Sequence, residues 1–277
     1  MQVLLQNELL NHPAIEAGVI PFVITLIVGA ALPKRYAWWS AIVFAIAYFI
    51  AAWLILDGRL TPLSSSRKLV LLGMGAVVVG TIAHFSFSAT TLQKTLITLA
   101  VIAVGWLIWP KLVRLDITQQ LIMGSGAAIY AIWLTFALHQ LRDEDIASSV
   151  TATILGFATG LCALIGASSL LGELGIAVGS GAAAISFYGL KKRIDHSAGF
   201  YFSISVLCAL IGIAAVLYAK VPWYSLIALA SIPLAAMLFE WRYKSGWLRI
   251  IKLSILLLIP AGIAVFLTEQ AAGPIPF

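Results

Sequence analysis

Charge is the scarcest thing in this 277-residue sequence: 10% of its residues are Asp, Glu, Lys or Arg. Soluble domains carry about 25%, because their surfaces must meet water. A chain so poor in charge cannot clothe a water-facing surface, which excludes a soluble globular protein. Long polar stretches are also missing. The longest lie near residues 57–68, 110–118 and 240–249, each too short to build a core of its own, so no soluble domain is expected. No basic residue precedes Lys34, so a cleavable signal peptide, which opens on positive charge, is not expected. Cysteine is limited to Cys162 and Cys208, both inside apolar runs. They are expected to be free thiols packed as small hydrophobes rather than a disulfide.

Several chemical signatures are missing too. The sequence has no HExxH zinc motif, no GxSxG nucleophile elbow and no Walker phosphate loop. Nor does it place aspartate pairs at helical spacing on a membrane face. No catalytic residue and no metal site are therefore nominated, and no cofactor is specified.

What is present is apolar sequence, 62% of the chain, with a mean hydropathy of +1.04. It falls into runs near the ~20 residues that a spanning helix needs, without the short alternating segments of a transmembrane barrel. The expected fold is all-α: a polytopic transmembrane helix bundle of about ten spans, one domain over residues 1–277. The spans are read as 13–32, 37–56, 68–86, 94–110, 118–140, 148–169, 172–190, 198–219, 222–240 and 248–268. Trp38, Trp39, Trp106, Trp109, Trp223, Tyr224, Trp241, Tyr243 and Trp247 fall near span ends, where amphipathic rings favour the headgroup level. Pro21, Pro233 and Pro260 fall within runs and predict kinks in the first, ninth and tenth helices.

The net charge of +6 is spread over many short loops, which points to membrane orientation and not to nucleic acid. With ten spans and the N-terminus outside, eleven of the 17 Lys and Arg residues lie inside. Residues 148–190 make that count fragile, since they contain Glu173, no basic residue and no clear loop. They read as two spans broken near Ser168, Ser169 and Gly172, or as one span followed by a re-entrant hairpin. The second reading gives nine spans and reverses everything before the segment.

The same region carries the most distinctive pattern, GFATGLCALIGASSLLGELGIAVGSG at 156–181. Small residues four apart let membrane helices approach closely; Gly-broken helices can also expose backbone to a substrate. Close packing is the leading expectation. A binding path is the alternative, with Glu173, Gly179 and Ser180 as its candidate residues. An intramembrane carboxylate is by default a functional candidate. Near a helix start, Glu173 would instead complement the positive end of the helix dipole, and Glu16 invites the same two readings. His84 and His139 sit near the ends of helices three and five, which run in one direction. Together they could ligate a haem iron, hold a metal or contact a quinone, although lone histidines at helix ends are usually interfacial.

Two clusters complete the inventory. Arg142-Asp143-Glu144-Asp145 reads as a solvated loop before it reads as a cation site. Lys191-Lys192-Arg193-Ile194-Asp195-His196 reads as a topology anchor, with anionic lipid headgroups as a secondary reading. Finally, GSGAAIY at 124–130 resembles GSGAAAISFY at 179–188, and the likeness is read as shared small-residue packing. The expected role is an embedded structural or accessory subunit of a larger membrane complex, with membrane lipids and other membrane subunits as partners. A small-solute transporter or channel using residues 156–181 is the alternative. Helical spans point to a cytoplasmic (inner) membrane, since outer-membrane proteins are generally barrels.

Overall fold

A computed structural model describes residues 12–33, 36, 38–58, 61, 63–191, 197–239 and 246–273. Lys34, Arg35, residues 192–196 of the basic run, Trp241 and Tyr243 lie outside them. Among the described residues there are ten helices and no strand: α1 (Ile15–Ala31), α2 (Trp39–Ile55), α3 (Ser65–Ser86), α4 (Ala89–Leu112), α5 (Ile117–Gln140), α6 (Asp145–Ile165), α7 (Ser169–Lys191), α8 (Ala198–Tyr218), α9 (Trp223–Leu238) and α10 (Gly246–Ala272). Each apolar run of the sequence has become one helix. Seven are long and apolar enough to cross a membrane, and α1, α2 and α9 are shorter apolar helices. The chain is an all-α bundle and an integral membrane protein.

Helix ends follow local chemistry. Ser64 caps α3 by accepting from the Arg67 amide, which starts that helix ahead of its apolar run. The fourth helix likewise begins five residues before its run, where the Ser88 hydroxyl bonds to Thr91. Pro21 has no amide to donate, and α1 accommodates it with an opening π-turn over Ile15–Val19, where the Ile20 amide reaches back to the Ile15 carbonyl. Pro233 and Pro260 lie inside α9 and α10.

The segment 148–190 resolves into two helices of full bundle length. A three-residue turn, Gly166–Ser168, joins α6 to α7. Ala167 there has φ +70°, and the Ser168 amide bonds to the Ala163 carbonyl while Ala167 bonds to Leu164. This is a Schellman-type ending with alanine where glycine usually sits, so the stop carries little signal in the sequence. Ser168 then caps α7 by accepting from the Leu171 amide. The turn meets the opposite hairpin directly: the Lys220 amide donates to the Gly166 carbonyl at 2.8 Å. One end of the bundle therefore gathers the α6–α7 and α8–α9 turns. At the other end, Arg249 at the start of α10 is ion-paired with Glu144 before α6.

The glycines explain how α6 and α7 lie so close. A Cβ on Gly156 would stand 2.6 Å from the Gly179 nitrogen, and one on Gly160 would stand 2.6 Å from the Ile176 nitrogen. One on Gly172 would stand 2.8 Å from the Leu164 Cβ. Backbone meets backbone along the whole hairpin, the arrangement small residues permit inside lipid. Thr153 and Ser186 add a hydroxyl pair across it at 3.3 Å.

At the centre stands α8. Every residue from Ala198 to Ala215 is buried, because α8 contacts α2, α3, α4, α5, α6, α7 and α9. Those seven close a ring around it in the order α2, α3, α4, α5, α9, α6, α7, each touching the next. Outside the ring, α1 packs on α2 and α7, while α10 packs on α6 and α9. The gradient is steep: α8 is buried along nearly its whole length, whereas most of α10 faces outward. Trp39 departs from its interfacial expectation. It is fully buried and meets Tyr188 edge-on at 5.3 Å, because Gly29 leaves room for both rings. Cys162 and Cys208 are free and buried, as expected.

Candidate functional site

Polar side chains concentrate at the end of the bundle where α3 and α5 finish and α4, α6 and α8 begin. His139, in the last turn of α5, is 5% exposed. Its Nδ1 lies 3.2 Å from the Tyr201 hydroxyl on α8, and its Nε2 lies 2.9 Å from Nη1 of Arg142. A guanidinium can only donate, so Nε2 must carry the lone pair. Nδ1 then holds the ring proton and donates it to Tyr201. The imidazole in this arrangement is neutral, fixed as one tautomer and wedged between a phenol and a guanidinium. Arg142 also reaches the Asp143 carboxylate through Nε at 3.4 Å, although Asp143 is 82% exposed. A hollow of about 170 Å³ opens beside them, lined by Thr90, Gln93, His139, Gln140, Arg142 and Asp143.

Both sequence-nominated histidines come to this end. Arg142 is near enough for its charge to act on His84, His139 and Tyr201. The two rings nonetheless have separate surroundings: His84 meets Phe85 edge-on at 5.1 Å, and its Nδ1 lies 3.5 Å from the Ala198 amide at the start of α8. Among the described residues no group of three or more His, Cys, Asp or Glu side chains is assembled as a metal site. Within the acidic run Asp143 is turned to solvent and Glu144 is paired to Arg249; the side chain of Asp145 lies outside the description.

The other nominated residues lie elsewhere. Glu16 and Glu173, both half-buried, come together at the opposite end, where α1 and α7 run side by side and the carboxylates are near enough to repel. Glu16 stands in the opening turn of its helix, where the dipole favours an anion. Glu173 stands one turn into α7. Gly179 is packed on Phe157, where a Cβ would fall 2.7 Å from the Phe157 nitrogen, and Ser180 is buried.

A second hollow, about 640 Å³ and almost wholly apolar, opens between α5 and α9. Leu112, Met123, Gly126, Tyr130, Trp223 and Ile227 are among its walls. Trp133 anchors one side by donating to the Ala230 carbonyl at 2.8 Å. Sequence reasoning overlooked this groove, and it also missed Thr90 and Gln93 in the polar pocket and Tyr201 behind His139. The groove follows from which helices neighbour which, and single spans carry no such information. Tyr201 did carry a signal: a phenol within an apolar span normally finds a polar partner when buried.

The sequence matches no known protein family and no curated relative.

Proposed function

We propose that the chain is an embedded structural or accessory subunit of a larger membrane complex, with a partner's transmembrane helix seated in the groove between α5 and α9. The unequal fate of the twin motifs carries this reading. In α7, Gly179 lies against Phe157 and Gly181 against Phe44, so that GSG is used up within the chain. In α5, a Cβ on Gly126 would meet nothing within 4 Å, and one on Gly124 would meet Leu112 at 3.8 Å. Ser125 and Gly126 are exposed, and Gly126 lines the apolar hollow. Small-residue faces are what membrane helices use to meet one another, and here such a face opens onto the apolar groove.

Solute transport along 156–181 draws less support, because Gly156, Gly160, Gly175 and Gly179 are engaged in helix contact. We place the complex in a cytoplasmic membrane, since the spans are helical.

The test is purification of the full chain from its native membrane in mild detergent. A co-purifying membrane protein in fixed ratio is expected. Gly126→Leu fills open space, so it leaves the fold intact and lowers partner yield at least ~10-fold, about 1.4 kcal/mol of affinity. Gly262→Leu, on the far face of α10 with nothing within 4 Å, leaves the yield unchanged. A chain that always purifies alone, or a partner retained equally by Gly126→Leu, contradicts the reading. A groove found holding lipid alone also contradicts it.

A further inference from the structure

We propose that the polar pocket at the His139 end holds an oxyanion, a phosphate or carboxylate group, with Arg142 as its principal ligand. This site is separate from the groove and lies at the other end of α5.

A guanidinium carries five N–H groups. His139, Tyr201 and Asp143 engage Arg142, which leaves donors for the hollow it lines. Thr90, Gln93 and Gln140 supply a hydroxyl and two amides on the same walls. The lining is thus rich in neutral donors around one permanent cation. A permanent cation ringed by side chains that can donate hydrogen bonds favours an oxyanion over a bare metal ion. The planar fork of arginine matches the paired oxygens of carboxylate and phosphate.

Arg142 is also preorganised. The Tyr201–His139–Arg142 chain is anchored in a ring that is 5% exposed, and it fixes the guanidinium before any ligand arrives. The His139 lone pair faces Arg142 rather than the hollow, so the imidazole positions the cation and does not itself repel an anion. Asp143 is the one carboxylate among the lining residues. Its 82% exposure leaves its charge screened by water, and an incoming anion can replace its long contact with Nε. Lys94 follows Gln93 on α4 and is exposed at the same end, which adds to the attraction. The size of the hollow, about 170 Å³, suits one such group and not a large cofactor.

The oxyanion can belong to a lipid headgroup or be free in solution, and two probes separate these sources. Inorganic phosphate is titrated onto the full chain in detergent by calorimetry. Separately, the chain is placed in nanodiscs of phosphatidylcholine with or without phosphatidylglycerol, and retained lipid is counted by native mass spectrometry. At least one probe is expected to bind, and Arg142→Gln weakens it at least ~10-fold, as loss of a charge-assisted pair should. Gln93→Leu and Thr90→Val weaken it about 3-fold each, in line with neutral hydrogen bonds. These two leave the His139 chain intact, so they carry the test if Arg142→Gln does not fold. Binding of phosphate alone marks a soluble ligand, and retention of phosphatidylglycerol alone marks a headgroup. Failure of both probes to bind the wild-type chain overturns the proposal, as does equal binding by all the variants.

Discussion

Replacing Gly160 with leucine is expected to lower stability by about 3 kcal/mol or more, at the upper end of overpacking costs, and to remove most of the folded yield. A first side-chain carbon at this position would stand 2.6 Å from the Ile176 nitrogen, 2.8 Å from the Gly172 oxygen and 2.9 Å from the Gly175 carbonyl carbon. All three are backbone atoms, so no rotamer change relieves the overlap. The sole response is to push α6 and α7 apart, and that opens every other close contact along the hairpin. No hydrophobic effect draws the pair back together inside lipid. The matched control is Gly105→Leu, where the added carbon meets nothing within 4 Å, and the thermal midpoint should stay within a few degrees. Detergent-solubilised thermal unfolding of the two variants reads the contrast.

The second large effect lies at the central helix. Gly199→Val is expected to displace α8 from α3, with a loss of about 2–3 kcal/mol. A Cβ there would overlap the Thr81 hydroxyl and stand 2.9 Å from the Val77 carbonyl. Gly80 faces the same crossing, where a Cβ would stand 2.9 Å from the Gly199 Cα, so neither backbone can retreat toward the other. Because α8 also supports α2, α4, α5 and α6, a shift at this crossing propagates around the ring. Gly212→Ala, farther along the same helix, should be mild: its nearest neighbour is a flexible methyl of Leu226 at 3.0 Å. A Gly199→Val midpoint equal to that of Gly212→Ala would refute the crossing as a rigid contact.

Much of the architecture was legible because lipid imposes it. Each span must satisfy its own backbone, so each apolar run predicts a helix, and ten runs gave ten helices. The spacing of Gly156 and Gly160 also forecast close packing, since it is a local pattern. What stayed hidden was relational. Gly80 and Gly199 look unremarkable apart, and their contact spans 119 positions. Nothing in residues 198–218 announces that they occupy the centre, because apolar sequence facing lipid resembles apolar sequence facing protein. A break near Ser168 was legible, but the stop at Gly166 and Ala167 was not, because Ala167 takes a left-handed conformation usually reserved for glycine. At the polar end, Arg142 looked like one member of a solvated loop. Its inward turn depends on His139 one helical turn earlier and on Tyr201 from a helix remote in sequence.

Residues 145–191 form two complete, glycine-zipped helices, and this sets the direction of every segment before them. Single-cysteine labelling with a membrane-impermeant maleimide tests it, with the buried Cys162 and Cys208 left in place. Ser64, Ser169 and Lys220 are exposed at one end of the bundle, and Ser88 and Asp143 are exposed at the other. Ser64→Cys, Ser169→Cys and Lys220→Cys should all label from the same side of the membrane, with Ser88→Cys and Asp143→Cys labelling from the other. Labelling of Ser64→Cys and Lys220→Cys from opposite sides would contradict this, since one of the two helices would then turn back within the bilayer.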